Sequence, residues 1–125
     1  MHESVIAQSI VNSVLKHARQ QAVSEVEIIF LKIGELTFLN PEQLLFWLQT
    51  GFKNTAAQQA DIRIEHINAE ICCSACGYHG DLHVFDQNEG GHYQVPVFIC
   101  PACNASAVEI LHGREMFIEK IQVKR

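Results

Sequence analysis

Apolar residues recur along the chain in two rhythms. Over residues 4–22, Ile6, Ile10, Val14 and Ala18 fall at helical spacing, with Gln8, Asn12, Lys16 and Gln20 between them. This predicts an amphipathic helix. Residues 26–33, VEIIFLKI, are β-branched and apolar and predict a strand that Gly34 ends. A second helix has a clear start: Asn40 as N-cap, Pro41 at the first helical position and Gln43 three residues after the cap. Leu44, Leu45, Leu48 and Phe52 supply its apolar face, which fades near Asn54. Residues 61–69, DIRIEHINA, alternate with period two through Ile62 and Ile64, as a strand does. Residues 115–124 predict a last strand, and the slip in apolar phase between Ile118 and Ile121 predicts a bulge.

Residues 70–108 break these rhythms. They hold all five cysteines, four of the seven glycines and three of the seven histidines. Short strands are expected at Leu82–Phe85 and Tyr93–Ile99. The expected class is therefore α+β. Residues 1–69 plus 109–125 form a small βαβ-type lobe, two helices on a three-stranded sheet, and residues 70–108 form an inserted four-cysteine zinc-ribbon lobe.

A chain of 125 residues suits one domain or two small ones, and 48% hydrophobic residues suffice for a core. Charges interrupt every long apolar stretch, so no membrane span is expected. The formal net charge is −5, and its distribution matters more than its size. Between Arg63 and Arg114 there is no Lys or Arg, while Glu65, Glu70, Asp81, Asp86, Glu89 and Glu109 fall in that interval. Such a surface repels phosphate backbones, which argues against a nucleic-acid partner. An odd number of cysteines without a secretory signal argues against a disulfide framework. A cytoplasmic, reducing compartment is expected.

Cys73-Ser-Ala-Cys76 and Cys100-Pro-Ala-Cys103 are two C-x-x-C pairs separated by 23 residues. Two tight turns supplying four thiolates suit tetrahedral Zn(II), and a full thiolate set predicts a closed, structural site. An insert of 39 residues is also too small to stabilise itself by core burial. The competing reading of Cys100-Pro-Ala-Cys103 is a redox dithiol, but NASAVEI after it does not continue as a long helix. Cys72 is left over as a bystander thiol that points away from Cys73 in an extended chain.

The N-terminus Met1-His2-Glu3 suggests a second metal site. The Met1 amine, the His2 amide nitrogen and the His2 imidazole form fused chelate rings, a planar set suited to Ni(II) or Cu(II). A bulky second residue such as His2 disfavours removal of Met1. A square plane needs a fourth donor. The Glu3 amide could supply it by distorting the start of the helix. His92, after the flexible pair Gly90-Gly91, is the best placed of the loop histidines His79, His83 and His92. The competing reading leaves His2 as a surface histidine and Glu3 as a favourable charge at a helix N-terminus.

Met1-His2-Glu3, Lys32-Ile33-Gly34-Glu35-Leu36, Cys73-Ser-Ala-Cys76-Gly77 and Cys100-Pro-Ala-Cys103, in this order and spread along the whole chain, resemble the HypA/HybF family of nickel metallochaperones of NiFe-hydrogenase maturation. The resemblance implies Ni(II) as transient cargo at His2 and a structural Zn(II) on the four cysteines. It also implies a HypB-type GTPase and the hydrogenase large-subunit precursor as partners. Some relatives serve urease as well. The stretch between the knuckles is longer than in a typical bacterial member. Gly77 and Asn104 stand directly after the knuckles, where some relatives carry a histidine that tunes the zinc site.

Two other function classes compete with this reading. A zinc-ribbon adaptor or nucleic-acid binder without a nickel role would need, for nucleic acid, a basic face that the ribbon segment lacks. An enzyme would need a nucleophile–base pair or carboxylate dyad, and none stands out. His17 on a helix, His66 on a strand and His112 before Gly113 in a turn are expected to be packing or surface residues.

Overall fold

The structure is a computed structural model that describes residues 2–82, 84–85, 95–96 and 98–125. In chain order the elements are α1 (Glu3–Gln20), β1 (Glu25–Gly34), a 3₁₀ turn (Glu35–Thr37), α2 (Pro41–Gly51), β2 (Asp61–Ile67), β3 (Glu70–Cys73), β4 (His79–Asp81), β5 (Val84–Phe85), β6 (Val95–Pro96), β7 (Val108–His112) and β8 (Met116–Lys124). They gather into two compact units. The first comprises residues 1–33, 39–65 and 116–125; the second comprises 34–38 and 66–115.

The first unit is a three-stranded sheet in the order β2-β1-β8, with β1 and β8 antiparallel. From α1, Ala7, Ile10, Val11, Val14 and Ala18 are buried, the stripe a 3.6-residue period produces. They pack with Leu44, Leu48 and Phe52 and with Val26, Ile29, Leu31 and Ile33 of β1. Each fully buried Leu, Ile or Phe contributes about 1.5–3 kcal/mol.

Two register shifts put the apolar residues of the strands on one face. The buried positions of β1 change parity, from Val26 to Ile29, Leu31 and Ile33, because the ladder shifts between Val26 and Ile28 and leaves Glu27 over. On β8 the ladder passes from Lys120 opposite Phe30 to Ile118 opposite Leu31, skipping Glu119. Ile118 and Ile121 therefore both reach the core, and the bulge lies where the sequence phase slips.

The start of α2 follows its sequence. Asn40 Oδ1 accepts from the backbone N–H of Glu42 at 2.9 Å and of Gln43 at 3.2 Å. Glu3 Oε1 accepts from the Asn40 N–H at 3.2 Å, tying the first residue of α1 to the α2 cap. Helix α1 stops at Gln20, two residues short of the expected end, and Ala22 takes the left-handed φ of 53°.

The second unit holds a three-stranded sheet in the order β4-β3-β7, antiparallel throughout, and the short β5–β6 ladder. Its buried cluster is small: Ala69, Ile71 and Leu82, with Leu36, Tyr78, Val108 and Ile110 against it. This sheet departs from the sequence expectation. The strand expected over 61–69 ends at Ile67, and β3 follows as a separate strand. Neither β3 nor β7 was expected. Of the strand expected at Leu82–Phe85, β5 is found at Val84–Phe85, with β4 as a further strand just before it, and within Tyr93–Ile99 the described strand is β6.

Residues 34–38 are bound to the second unit by backbone. The Gly34 N–H donates to Glu115 O and the Leu36 N–H to Gly113 O, both at 2.7 Å, and Glu35 Oε1 accepts from the Ala69 N–H at 2.8 Å. Gly34 allows this approach, since a Cβ there would lie 2.1 Å from the Gly113 carbonyl oxygen. The stretch Lys32–Leu36 thus has a division of labour. Lys32 lies 3.9 Å from Glu65 and 3.8 Å from Glu119, Ile33 is core, and Gly34, Glu35 and Leu36 build the second unit.

Candidate metal centre

The two cysteine pairs fold into the same turn. In the first, the Cys73 N–H donates to Tyr78 O at 2.8 Å and the Gly77 N–H to Cys73 O at 2.9 Å. In the second, the Cys100 N–H donates to Ala105 O and the Asn104 N–H to Cys100 O, both at 2.9 Å. The residue after each second cysteine is left-handed, with φ of 79° at Gly77 and 61° at Asn104. Glycine and asparagine are the residues that tolerate this. The turn geometry therefore accounts for Gly77 and Asn104 at the positions that follow the knuckles.

These turns bring Cys73, Cys76, Cys100 and Cys103 together, with all four sulfurs within 4.8 Å of one another. Cys73 Sγ lies 3.7 Å from Cys103 Sγ, and Cys76 Sγ 3.6 Å from Cys100 Sγ. A tetrahedron of thiolates with 2.3 Å arms has edges of about 3.8 Å, so the spacing fits an ion of zinc's size and preference. Cys73 and Cys100 are buried, and Cys76 and Cys103 exposed.

Proton affinities show why a cation belongs there. The Cys76 backbone N–H, ahead of lesser contributions, brings the Cys73 thiol down from 9.0 to about 7. Cys76 is pulled down by the Tyr78 backbone N–H, yet its contacts with Cys103, Cys100 and Cys73 and its burial push it up to about 12. Cys103 is also raised, although the Ala105 backbone N–H opposes this. Crowding thus disfavours ionisation of Cys76 and Cys103, and a positive charge placed among the thiols reverses this.

At the other candidate site, His2 is exposed and is the N-cap residue of α1, with φ −85° and ψ 133° and no side-chain capping bond. Glu3 is the first helical residue, its carboxylate on the Asn40 amide. Met1, His83 and His92 lie outside the described residues. Of the remaining histidines, His17 is on α1 and His66 on β2. His79 is on β4, its Nε2 against Glu70 Oε1. His112 ends β7 rather than lying in the turn, with Nδ1 3.1 Å from Glu115 Oε2. Glu115 also accepts from the Gly113 N–H at 2.6 Å. That bond, then its own backbone N–H and His112, hold its carboxyl at about 2, against an ordinary 4.5. The sequence reading did not single out Glu35 or Glu115. Their partners are distant or sit in a turn of no apolar period, and only the motif that includes Glu35 hinted at either.

No described helix is long and apolar enough to cross a membrane. Residues 1–123 match the family model described as HypA, hydrogenase/urease nickel incorporation, metallochaperone. A hydrogenase maturation factor HypA from Methanothermobacter thermautotrophicus is 35% identical over 125 residues, covering 100% of this chain and 98% of the relative. Another, from Methanococcus aeolicus, is 37% identical over 123 residues, covering 95% and 94%. A solution structure of the Ni metallochaperone HypA from Helicobacter pylori shares the fold with a TM-score of 0.64 at 19% identity, covering 99% of this chain and 98% of that one. The match along nearly the full length of the chain, and the fold it shares, establish that this chain belongs to the HypA family of nickel-incorporation metallochaperones of hydrogenase maturation.

Proposed function

We propose that the chain carries one Ni(II) at its N-terminus and delivers it, with a HypB-type GTPase, to the hydrogenase large-subunit precursor in the cytoplasm, while a Zn(II) on Cys73, Cys76, Cys100 and Cys103 holds the ribbon together. It performs no catalysis of its own. The observation that carries this reading is His2, whose exposed imidazole makes no capping bond and stands one residue from Met1. The Met1 amine, the His2 amide and the His2 imidazole give three nitrogens of a square plane. The fourth is the Glu3 amide or His92. The helix ladder begins with the Val5 and Ile6 N–H groups on the His2 carbonyl, both at 3.2 Å, so ligation by the Glu3 amide removes no ladder bond. The cost to the helix expected from sequence is thereby reduced. A terminus loads and unloads an ion readily, because it moves easily.

The test is a chain with one uncleaved residue before Met1. It should lose tight nickel binding and keep its zinc and secondary structure, because the amine has left the chelate. An extended chain that binds nickel as tightly as the native one contradicts the proposal. In the native chain binding should weaken as pH falls, since the nitrogens must be free of protons. His92→Ala decides the fourth donor: weakened nickel binding assigns it to His92, and unchanged binding assigns it to the Glu3 amide.

A further inference from the structure

One face of the β4-β3-β7 sheet is made of metal-ligating side chains. On β3, Ile71 and Cys73 are buried, so Glu70 and Cys72 point to the opposite face. Cys72 is paired with His79 of β4 on one side and Glu109 of β7 on the other. Glu70 is paired with Asp81 on one side and, after a register shift, His112 on the other. Residues directly opposite on neighbouring strands share a face, with Cβ atoms about 4.5–5.5 Å apart. The face therefore carries two rows, His79-Cys72-Glu109 and Asp81-Glu70-His112. His79, Asp81, Glu109 and His112 are exposed, and Glu70 and Cys72 partly so. No Lys or Arg occurs in the sequence between Arg63 and Arg114, and the Arg114 guanidinium lies 6.0 Å from the Phe98 ring centre.

We propose that this face is an exchangeable site for a borderline divalent cation of the first transition row. It is distinct from the thiolate cluster and from the N-terminus. Its donors are Cys72 Sγ, His79 Nδ1 and a Glu109 carboxylate oxygen, with a fourth position open to solvent. A mixed sulfur, nitrogen and oxygen set of three suits such cations and leaves them replaceable, unlike four thiolates. A second observation points the same way. Glu70 Oε1 already holds His79 Nε2, the arrangement in which a carboxylate orients a ligating imidazole and leaves its other nitrogen for the metal. The three donors are not gathered as those of the knuckles are. Their ligand atoms do not lie within 4.8 Å of one another, so the site closes only when the His79 and Glu109 side chains rotate from either side onto an ion held by Cys72 between them.

The experiment uses the zinc-loaded full-length chain carrying His2→Ala, with Co(II) as the probe. One further cobalt per chain is expected, with the charge-transfer absorption of a single thiolate and zinc retained. Cys72→Ser, and Cys72→Ala beside it, should abolish that absorption. His79→Ala should weaken binding at least about tenfold, and Glu70→Gln by about the same factor through loss of orientation. Absence of a further cobalt overturns the proposal. So does cobalt that enters only as zinc leaves, or binding unmoved by both Cys72→Ser and His79→Ala.

Discussion

Among the described residues, the first unit buries fourteen apolar residues in one cluster and the second buries three. The first holds seven acidic and eight basic residues, while the second holds seven acidic residues against Arg114 alone. All five cysteines belong to the second. The units are thus held by different means. Helix faces and a bulged sheet supply the first with a core. The second relies on knuckle hydrogen bonds, the backbone clasp around Gly34 and Gly113, and the metal its thiols can take. All the excess negative charge is in the unit with the smaller core, where a cation is worth most, and the first unit is net positive by one. The proposed nickel terminus belongs to the unit with the larger apolar core, so loading and release there are expected to leave that fold intact.

The largest effect is expected at the thiolates. Cys103→Ser, or removal of zinc by a chelator, should unfold residues 66–115 and leave α1, α2 and the β2-β1-β8 sheet, a loss on the order of 10 kcal/mol of metal-coupled folding. Hydrogen exchange followed along the chain checks it. The reciprocal variant, Leu48→Ala, should cost about 2–5 kcal/mol in the first unit with zinc content unchanged, read by denaturation and metal analysis. Gly34→Ala should destabilise the second unit by several kcal/mol, of the order of other severe overpacking. A Cβ there overlaps the Gly113 carbonyl, and exchange at the Leu36 amide should rise first. Asn40→Ala should cost about 1 kcal/mol, confined to the start of α2. The smallest effect is at Glu115. Its carboxyl lies at about 2 when folded against an ordinary 4.5, so its stabilisation is complete above about pH 4.5 and lost as pH falls towards 2. Glu115→Gln should flatten that part of an acid-unfolding curve.

How far each unit could be read from sequence follows the same division. The first was legible because its signals are local: Asn40-Pro41 capping, the stripe of α1, and the apolar slip between Ile118 and Ile121. The cysteine quartet was legible from spacing, because zinc geometry fixes what two C-x-x-C pairs can do. Strands β3 and β7 were not expected. EICC and VEILH are short, and a buried cysteine stands where an aliphatic residue would mark the inward face. The attachment of residues 34–38 to the second unit was equally hidden. It rests on a glycine with no room for a Cβ and on one carboxylate bonded to an amide 34 residues away.

In the proposed function, nickel is held at the N-terminus independently of the thiolate site. The most direct measurement is nickel titration of the native chain and of His2→Ala, with zinc counted in both. Tight nickel binding should disappear in His2→Ala while one zinc per chain and the secondary structure remain. Tight nickel binding that survives His2→Ala, or that is lost only together with zinc, would contradict it.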